Sequence, residues 1–230
     1  MTNQIIKKFL GIPIVFAILM GVITNIISRN ATSFILNFGL SFSFIIQLFC
    51  NILILFVDSM GYFFMYKCIL SKCDFFYRLR DITREEFENK ENIFKKIKNN
   101  KLSLFKIIFV IVICQIVWFI VLYYYHKAKG GYMNNILLFD IVLFIPIFEE
   151  FIFRKIYFDY CKINNVKNAY GLNIIIFSFI HIIPMPTHFV LAATLAYCYK
   201  KFDSLLLNII IHFMYNFMGV CSLYILKSIG

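Results

Sequence analysis

From Phe9 onward the sequence keeps returning to apolar runs of membrane-spanning length, and that recurrence constrains the fold more than any other feature. A spanning helix needs roughly 20 predominantly apolar residues. The candidate spans are Phe9–Ile27, Phe34–Val57 (extendable to Tyr66), Leu102–Tyr125, Ile136–Phe158, Leu172–Ile183, His188–Tyr199 and Leu205–Leu226. Composition agrees: 61% of the 230 residues are hydrophobic and 15% charged. A soluble domain is nearer half apolar and a quarter charged. The chain has more apolar surface than its own core would cover, which excludes a cytosolic globular domain, a disordered tail and a disulfide-stapled secreted module. The expectation is an all-α polytopic transmembrane helical bundle, about seven membrane helices with a cytosolic amphipathic connector.

The fifth and sixth runs are short, and Ile183-Pro184-Met185-Pro186-Thr187 between them forbids a continuous helix. They read as two helices meeting in a tight turn. Lys7 and Lys8 precede the first run as in a signal peptide. That run is too long for a signal core and lacks an Ala-x-Ala site, so a retained helix is expected. The segment from Lys67 to Lys101 breaks the apolar pattern with ten Lys/Arg and six Asp/Glu. Ile82, Phe87, Ile93, Phe94 and Ile97 are interspersed, as in an amphipathic helix on a membrane surface. Its charges read as a solvated face without chemistry of their own.

With the N-terminus in the cytosol, seventeen Lys/Arg fall on the inside and four (Arg29, Lys127, Lys129 and Lys227) on the outside. Basic loops are retained in the cytosol, so the asymmetry sets the orientation. It also accounts for the net charge of +11 without nucleic acid as a partner. Seven scattered cysteines (50, 68, 73, 114, 161, 198 and 221) form no CxxC pair and read as reduced, mostly membrane-buried side chains. The Asn30-Ala31-Thr32 sequon is a short match of the kind that arises by chance.

Ionisable side chains inside the hydrocarbon cost about 2.5–3.5 kcal/mol each on insertion scales, which makes them functional candidates. The fourth span carries Glu149, Glu150 and Arg154, the fifth His181, and the seventh His212 with Asn216. At about 1.5 Å per residue, Glu149 lies roughly 14 Å from the cytosolic end of its span, His181 roughly 15 Å and His212 roughly 12 Å. The three converge on one layer. Glu150 and Arg154 are four apart and share a helical face, whereas Glu149 points about 100° from Glu150 and roughly 140° from Arg154. The expected arrangement is a Glu150–Arg154 pair and a free Glu149 turned toward the histidines. His212 and Asn216 present two donors on one face. The competing readings are a structural hydrogen-bond network between helices and a proton or cation pathway. Asp58 and Asp140 fall near span ends, His126 in an outer loop and His188 beside the proline turn, positions that read as interfacial or structural.

In order and spacing, Glu149-Glu150-x-x-x-Arg154, Phe177-x-x-x-His181 and His212-x-x-x-Asn216 resemble the three motifs of the CPBP intramembrane proteases. That family comprises the type II CAAX prenyl endopeptidases and bacterial relatives, often called Abi or bacteriocin self-immunity proteins. The resemblance covers roughly Ile136 to Leu226. It divides the chain into residues 1–135, variable N-terminal membrane helices with the connector 67–101, and residues 136–230, a catalytic helical core open toward the cytosol.

The resemblance implies glutamate-dependent peptide hydrolysis. Glu149 would activate water with His181, His212 and Asn216 would stabilise the oxyanion, and Glu150 and Arg154 would support them. The chemistry stands on its own terms: a carboxylate in low-dielectric surroundings suits general-base work, and His plus Asn supply oxyanion donors. No cofactor is expected. The alternative is zinc held by Glu and two His, without an HExxH helix to hold it. Residue usage rich in Ile, Asn, Lys and Phe suggests an AT-rich bacterial genome, where CAAX prenylation is not expected, and the apolar spans then imply a multi-pass protein of the cell membrane. The expected partners are the lipid bilayer and a membrane-bound peptide or protein substrate, such as a leader or pheromone peptide. Bacteriocin immunity or a scaffold role without proteolysis is the second class of function.

Overall fold

The computed structural model describes residues 2–16, 18–19, 22–23, 26, 40–70, 81, 84–86, 88–129, 142, 144–181 and 186–229. Parts of the first, second and fourth expected spans, residues 29–32, Cys73, Ile82, Phe87, Asp140 and residues 183–185 of the proline turn lie outside them. So do the side chains of Cys50, Asp58 and His126.

Every regular element among the described residues is helical. In chain order they are α1 (Thr2–Ile5, continued by a π turn Ile6–Gly11), α2 (Leu40–Leu70), α3 (Lys90–Asn99), α4 (Lys101–Lys129), α5 (Ile145–Glu150), α6 (Tyr157–Ile163), α7 (Ala169–Phe179), α8 (Pro186–Phe202) and α9 (Leu205–Ile229). A second π turn, Phe151–Ile156, joins α5 to α6 without a break in helical backbone angles.

Two stretches among the described residues, Lys101–Val121 in α4 and Leu205–Leu226 in α9, are long and apolar enough to cross a membrane, against the seven expected. Apart from Lys101 and Lys106 at the start of α4, their outward faces are mainly apolar. On α9 the exposed side chains Leu206, Ile210, Met214 and Phe217 recur at helical spacing. On α4 Phe105, Phe109, Val112, Ile116 and Ile120 do the same. A water-facing stripe would be polar; a lipid-facing one has no such need. The expected fourth span continues past Phe158 to the end of α6, and the fifth begins and ends earlier than its apolar run. Asn168, in left-handed conformation at φ 57°, precedes α7 and sets its start.

The core gathers around α8, which packs on α4, α7 and α9. Leu191, Ala192, Leu195, Ala196, Cys198 and Phe202 are all buried. The small residues let neighbouring helices approach closely. Phe9, on the first π turn, meets Tyr157 edge-on at 5.1 Å and ties the N-terminus to α6. Cys68, Cys114, Cys161, Cys198 and Cys221 are free thiols.

The charged connector is not simply solvated. Asp203, left-handed at φ 52°, turns the chain between α8 and α9, and Ser204 caps α9 by accepting from Leu207 N at 3.1 Å. Glu86 completes that cap from across the sequence. Its carboxylate accepts from Ser204 Oγ (2.9 Å) and Leu205 N (2.7 Å). A carboxylate at a helix N-terminus satisfies orphan N–H groups and meets the positive end of the helix dipole. Lys96 reaches the same corner, 3.7 Å from Asp203 and donating to Phe202 O at 3.4 Å, while Lys155 lies 3.5 Å from Glu85. The acids and lysines that looked like a generic charge run therefore pin α3 to the end of the bundle.

Candidate active site

Glu150 and Arg154 meet as their spacing predicts, with Arg154 Nε 3.2 Å from Glu150 Oε2 and both side chains fully buried. The guanidinium is held on two further sides. Nη1 donates to Asn173 Oδ1 at 2.8 Å, and the group lies over the Phe177 ring at 4.5 Å. Asn173 in turn donates to Phe153 O. Nε and Nη2 have no hydrogen-bond partner, so the buried cation is held by its ion pair with Glu150, the bond to Asn173 and the ring.

Glu150 has more partners than helical spacing implies. Glu150 also accepts from His212 Nδ1 at 2.9 Å and from Asn208 Nδ2 at 3.0 Å. Its two oxygens allow this: Oε2 serves Arg154 and Asn208 while Oε1 serves His212. Glu149 is buried beside it, and its Oε2 has no hydrogen-bond partner. The closest charged contact of that oxygen is His212 Nε2 at 3.8 Å. One imidazole thus stands between the two acids, tied at Nδ1 and open at Nε2. Arg154 follows the start of a π turn, whose i→i+5 pattern takes a smaller angular step than an α-helix. That brings Glu149 and Arg154 nearer one face than the roughly 140° of an ideal helix.

His181 lies two residues past the end of α7, and its Nδ1 is 2.9 Å from Phe177 O. A carbonyl only accepts, so Nδ1 carries the hydrogen and Nε2 of the neutral ring is an acceptor. Phe177 is the hub of the motif it begins. Its ring meets Phe153 edge-on at 5.6 Å, His181 at 5.1 Å and His212 at 5.9 Å, with Arg154 above it. An aliphatic side chain there would lose the ring contacts that align all three.

Glu149, His181, His212 and Asn216 line one cavity of about 330 Å³. Gln115, Trp118, His188 and Tyr215 complete much of its wall. The four residues singled out in the sequence for direct chemistry therefore share a space, with Glu150 and Arg154 directly behind them. Among the described residues no group of three or more His, Cys, Asp or Glu is placed to hold a metal ion.

Four polar residues near the site escaped the sequence reading. Asn208 is fully buried, donating to Glu150 and to Leu195 O at 2.9 Å. It falls four before His212, so a stripe Asn208-His212-Asn216 on one face of an apolar helix was its signal. Asn173 and Gln115 are likewise polar residues inside apolar runs. His188, read as structural, stacks on His181 with ring centroids 4.4 Å apart. Only the fold across the proline turn reveals that contact.

Comparison with known families gives this cluster a class. Residues 131–218 match the sequence model of a family of membrane-embedded proteases. The family is described as type II CAAX prenyl endopeptidase, Rce1-like, and the stretch that is similar to it covers 88 of the 230 residues. No curated protein and no solved structure matches the chain.

Proposed function

We propose that the chain is an intramembrane endopeptidase that hydrolyses peptide bonds of membrane-associated substrates near the cytosolic face, with Glu149 as the base. The observation that carries this reading is the buried Glu149 Oε2, without a hydrogen-bond partner, in a cavity shared with His181, His212 and Asn216. Glu149 takes a proton from water as its oxygen attacks the scissile carbonyl carbon, and His181 Nε2 accepts from the same water and orients it. The carbonyl oxygen gains the negative charge, toward which Asn216 and His212 Nε2–H donate. The C–N bond then breaks and the proton held by Glu149 passes to the leaving nitrogen. With Nδ1 bonded to the Glu150 carboxylate, His212 donates at Nε2 when its ring carries both protons. Glu150 and Arg154 act behind the reacting atoms by holding His212.

The family's description points to prenylated CAAX-type peptides as the substrate class, and we extend it to lipid-anchored or membrane-spanning peptides in general. The seventeen-to-four basic asymmetry supports a cytosolic site in a multi-pass cell-membrane protein. The reaction as proposed needs no cofactor, so cleavage by purified protein should persist in strong chelators. Loss of turnover restored by added zinc would reinstate the metal alternative.

The primary test is Glu149→Gln, assayed on a farnesylated Cys-a-a-X reporter peptide. Cleavage should fall at least about 10³-fold with unchanged expression and gel-filtration profile. Retained cleavage would remove Glu149 from the reaction. If an immunity phenotype in cells survived this substitution while cleavage was lost, the scaffold role would take its place.

A further inference from the structure

Gln115 interrupts the apolar run Ile107–Leu122 of α4, in the part of the chain that precedes the family match. It is only 6% exposed and lines the cavity with Glu149, His212 and Asn216. Its Nε2 donates to Tyr215 O at 2.7 Å. Because a carbonyl only accepts, that bond fixes which way the amide faces. Oε1 is left on the other side, buried and without a hydrogen-bond partner. A Cβ built at Gly219 would lie 3.6 Å from it, in ordinary contact, so this oxygen and Gly219 adjoin in the cavity wall.

A buried acceptor with no donor is costly in an empty site and useful in an occupied one. An extended peptide brings donors of the right kind, its backbone N–H groups. Tyr215 adjoins Asn216, so the bond from Nε2 also steadies the turn of α9 that carries the proposed oxyanion donor.

We propose that Gln115 is a substrate-positioning residue whose Oε1 accepts a backbone N–H of the peptide bound in the cavity. The inference rests on the peptidase reading above. It adds to the site a residue from the N-terminal half, and it distinguishes Gln115 from a plain tie between α4 and α9, for which Nε2 alone would suffice.

The test uses the full-length protein in detergent micelles and the farnesylated Cys-a-a-X reporter. Ester analogues of the reporter each replace one backbone N–H beside the scissile bond by oxygen. The wild type should turn over one analogue about 10-fold less efficiently than the all-amide peptide, chiefly through KM. Gln115→Met should lose about 10-fold on the all-amide peptide and no longer distinguish it from that ester. Gln115→Glu, which keeps an oxygen on the cavity side, is the second variant should the first fail to fold, and it should retain the discrimination. Undiminished discrimination by Gln115→Met, its loss in Gln115→Glu, or its absence in the wild type would each overturn the proposal. Binding of the same peptides to Glu149→Gln protein separates the two levels of inference. Amide-over-ester preference in binding, with no cleavage by the wild type, would leave Gln115 in place and remove the hydrolase. A reporter neither bound nor cut would reject both.

Discussion

Glu150 and Glu86 do related jobs in opposite surroundings. Each is an acid that gathers donors from distant parts of the chain: Arg154, His212 and Asn208 around Glu150, Ser204 and Leu205 around Glu86. Glu150 is wholly buried; Glu86 sits half-buried at the mouth of the connector. In the core a lost partner strands the charge that remains, and no water arrives to replace it. At the connector, water and salt take over whatever the carboxylate releases. The same chemistry is obligatory in one place and adjustable in the other.

Several substitutions would break or sharpen that contrast. The largest change in stability is expected from Glu150→Gln. It leaves Arg154 buried without its anion, a loss of about 3–5 kcal/mol, visible as reduced folded yield and earlier thermal unfolding in detergent. Stability like the wild type's would show that Arg154 finds its compensation elsewhere. Next, Asn216→Ala should lower kcat about 10²–10³-fold, or roughly 2.7–4 kcal/mol, with KM nearly constant. A raised KM at unchanged kcat would make Asn216 a substrate-binding residue instead.

On the connector side the effects should be smaller and of another kind. Glu86→Ala removes a charge-assisted cap and should cost about 1–2 kcal/mol of stability, leaving turnover per folded molecule unchanged. If kcat fell as well, the connector would be coupled to the site. Smallest of all, Lys96→Ala should cost under about 1 kcal/mol, because its partner Asp203 is largely exposed. High salt should reproduce most of that loss in the wild type.

The gathering of the candidate site residues was more legible than the bundle around them. Ionisable side chains inside apolar runs carry a high cost, so Glu149, Glu150, Arg154, His181 and His212 stood out without any structure, and Asn216 through its place four residues after His212. The i,i+4 rule foresaw the Glu150–Arg154 contact. It did not foresee that Glu150 would also hold His212, because one carboxylate has two oxygens and periodicity assigns a residue only one direction. Gln115 and Asn173 stayed hidden since a single uncharged amide in a span is affordable and names no partner. The docking of Glu86 on α9 joins residues more than a hundred positions apart, a pairing no local pattern announces. The start of α7 follows Asn168 in left-handed conformation, a backbone angle that the apolar run does not announce.

The enclosure of α8 has a consequence for how the protein is made. Its seventeen residues measure about 26 Å at 1.5 Å each, short of a hydrocarbon core of about 30 Å, and among its large apolar side chains only Val190 and Tyr197 stand well exposed. A segment with so little surface for lipid is a poor candidate for independent insertion during synthesis. It settles only in a cleft whose walls are α4, α7 and α9, and the last of those leaves the ribosome after it. Biogenesis must therefore hold α8 in waiting until the final helix arrives. A chain cut short before α9 would present that unfinished cleft to the cell's quality-control proteases.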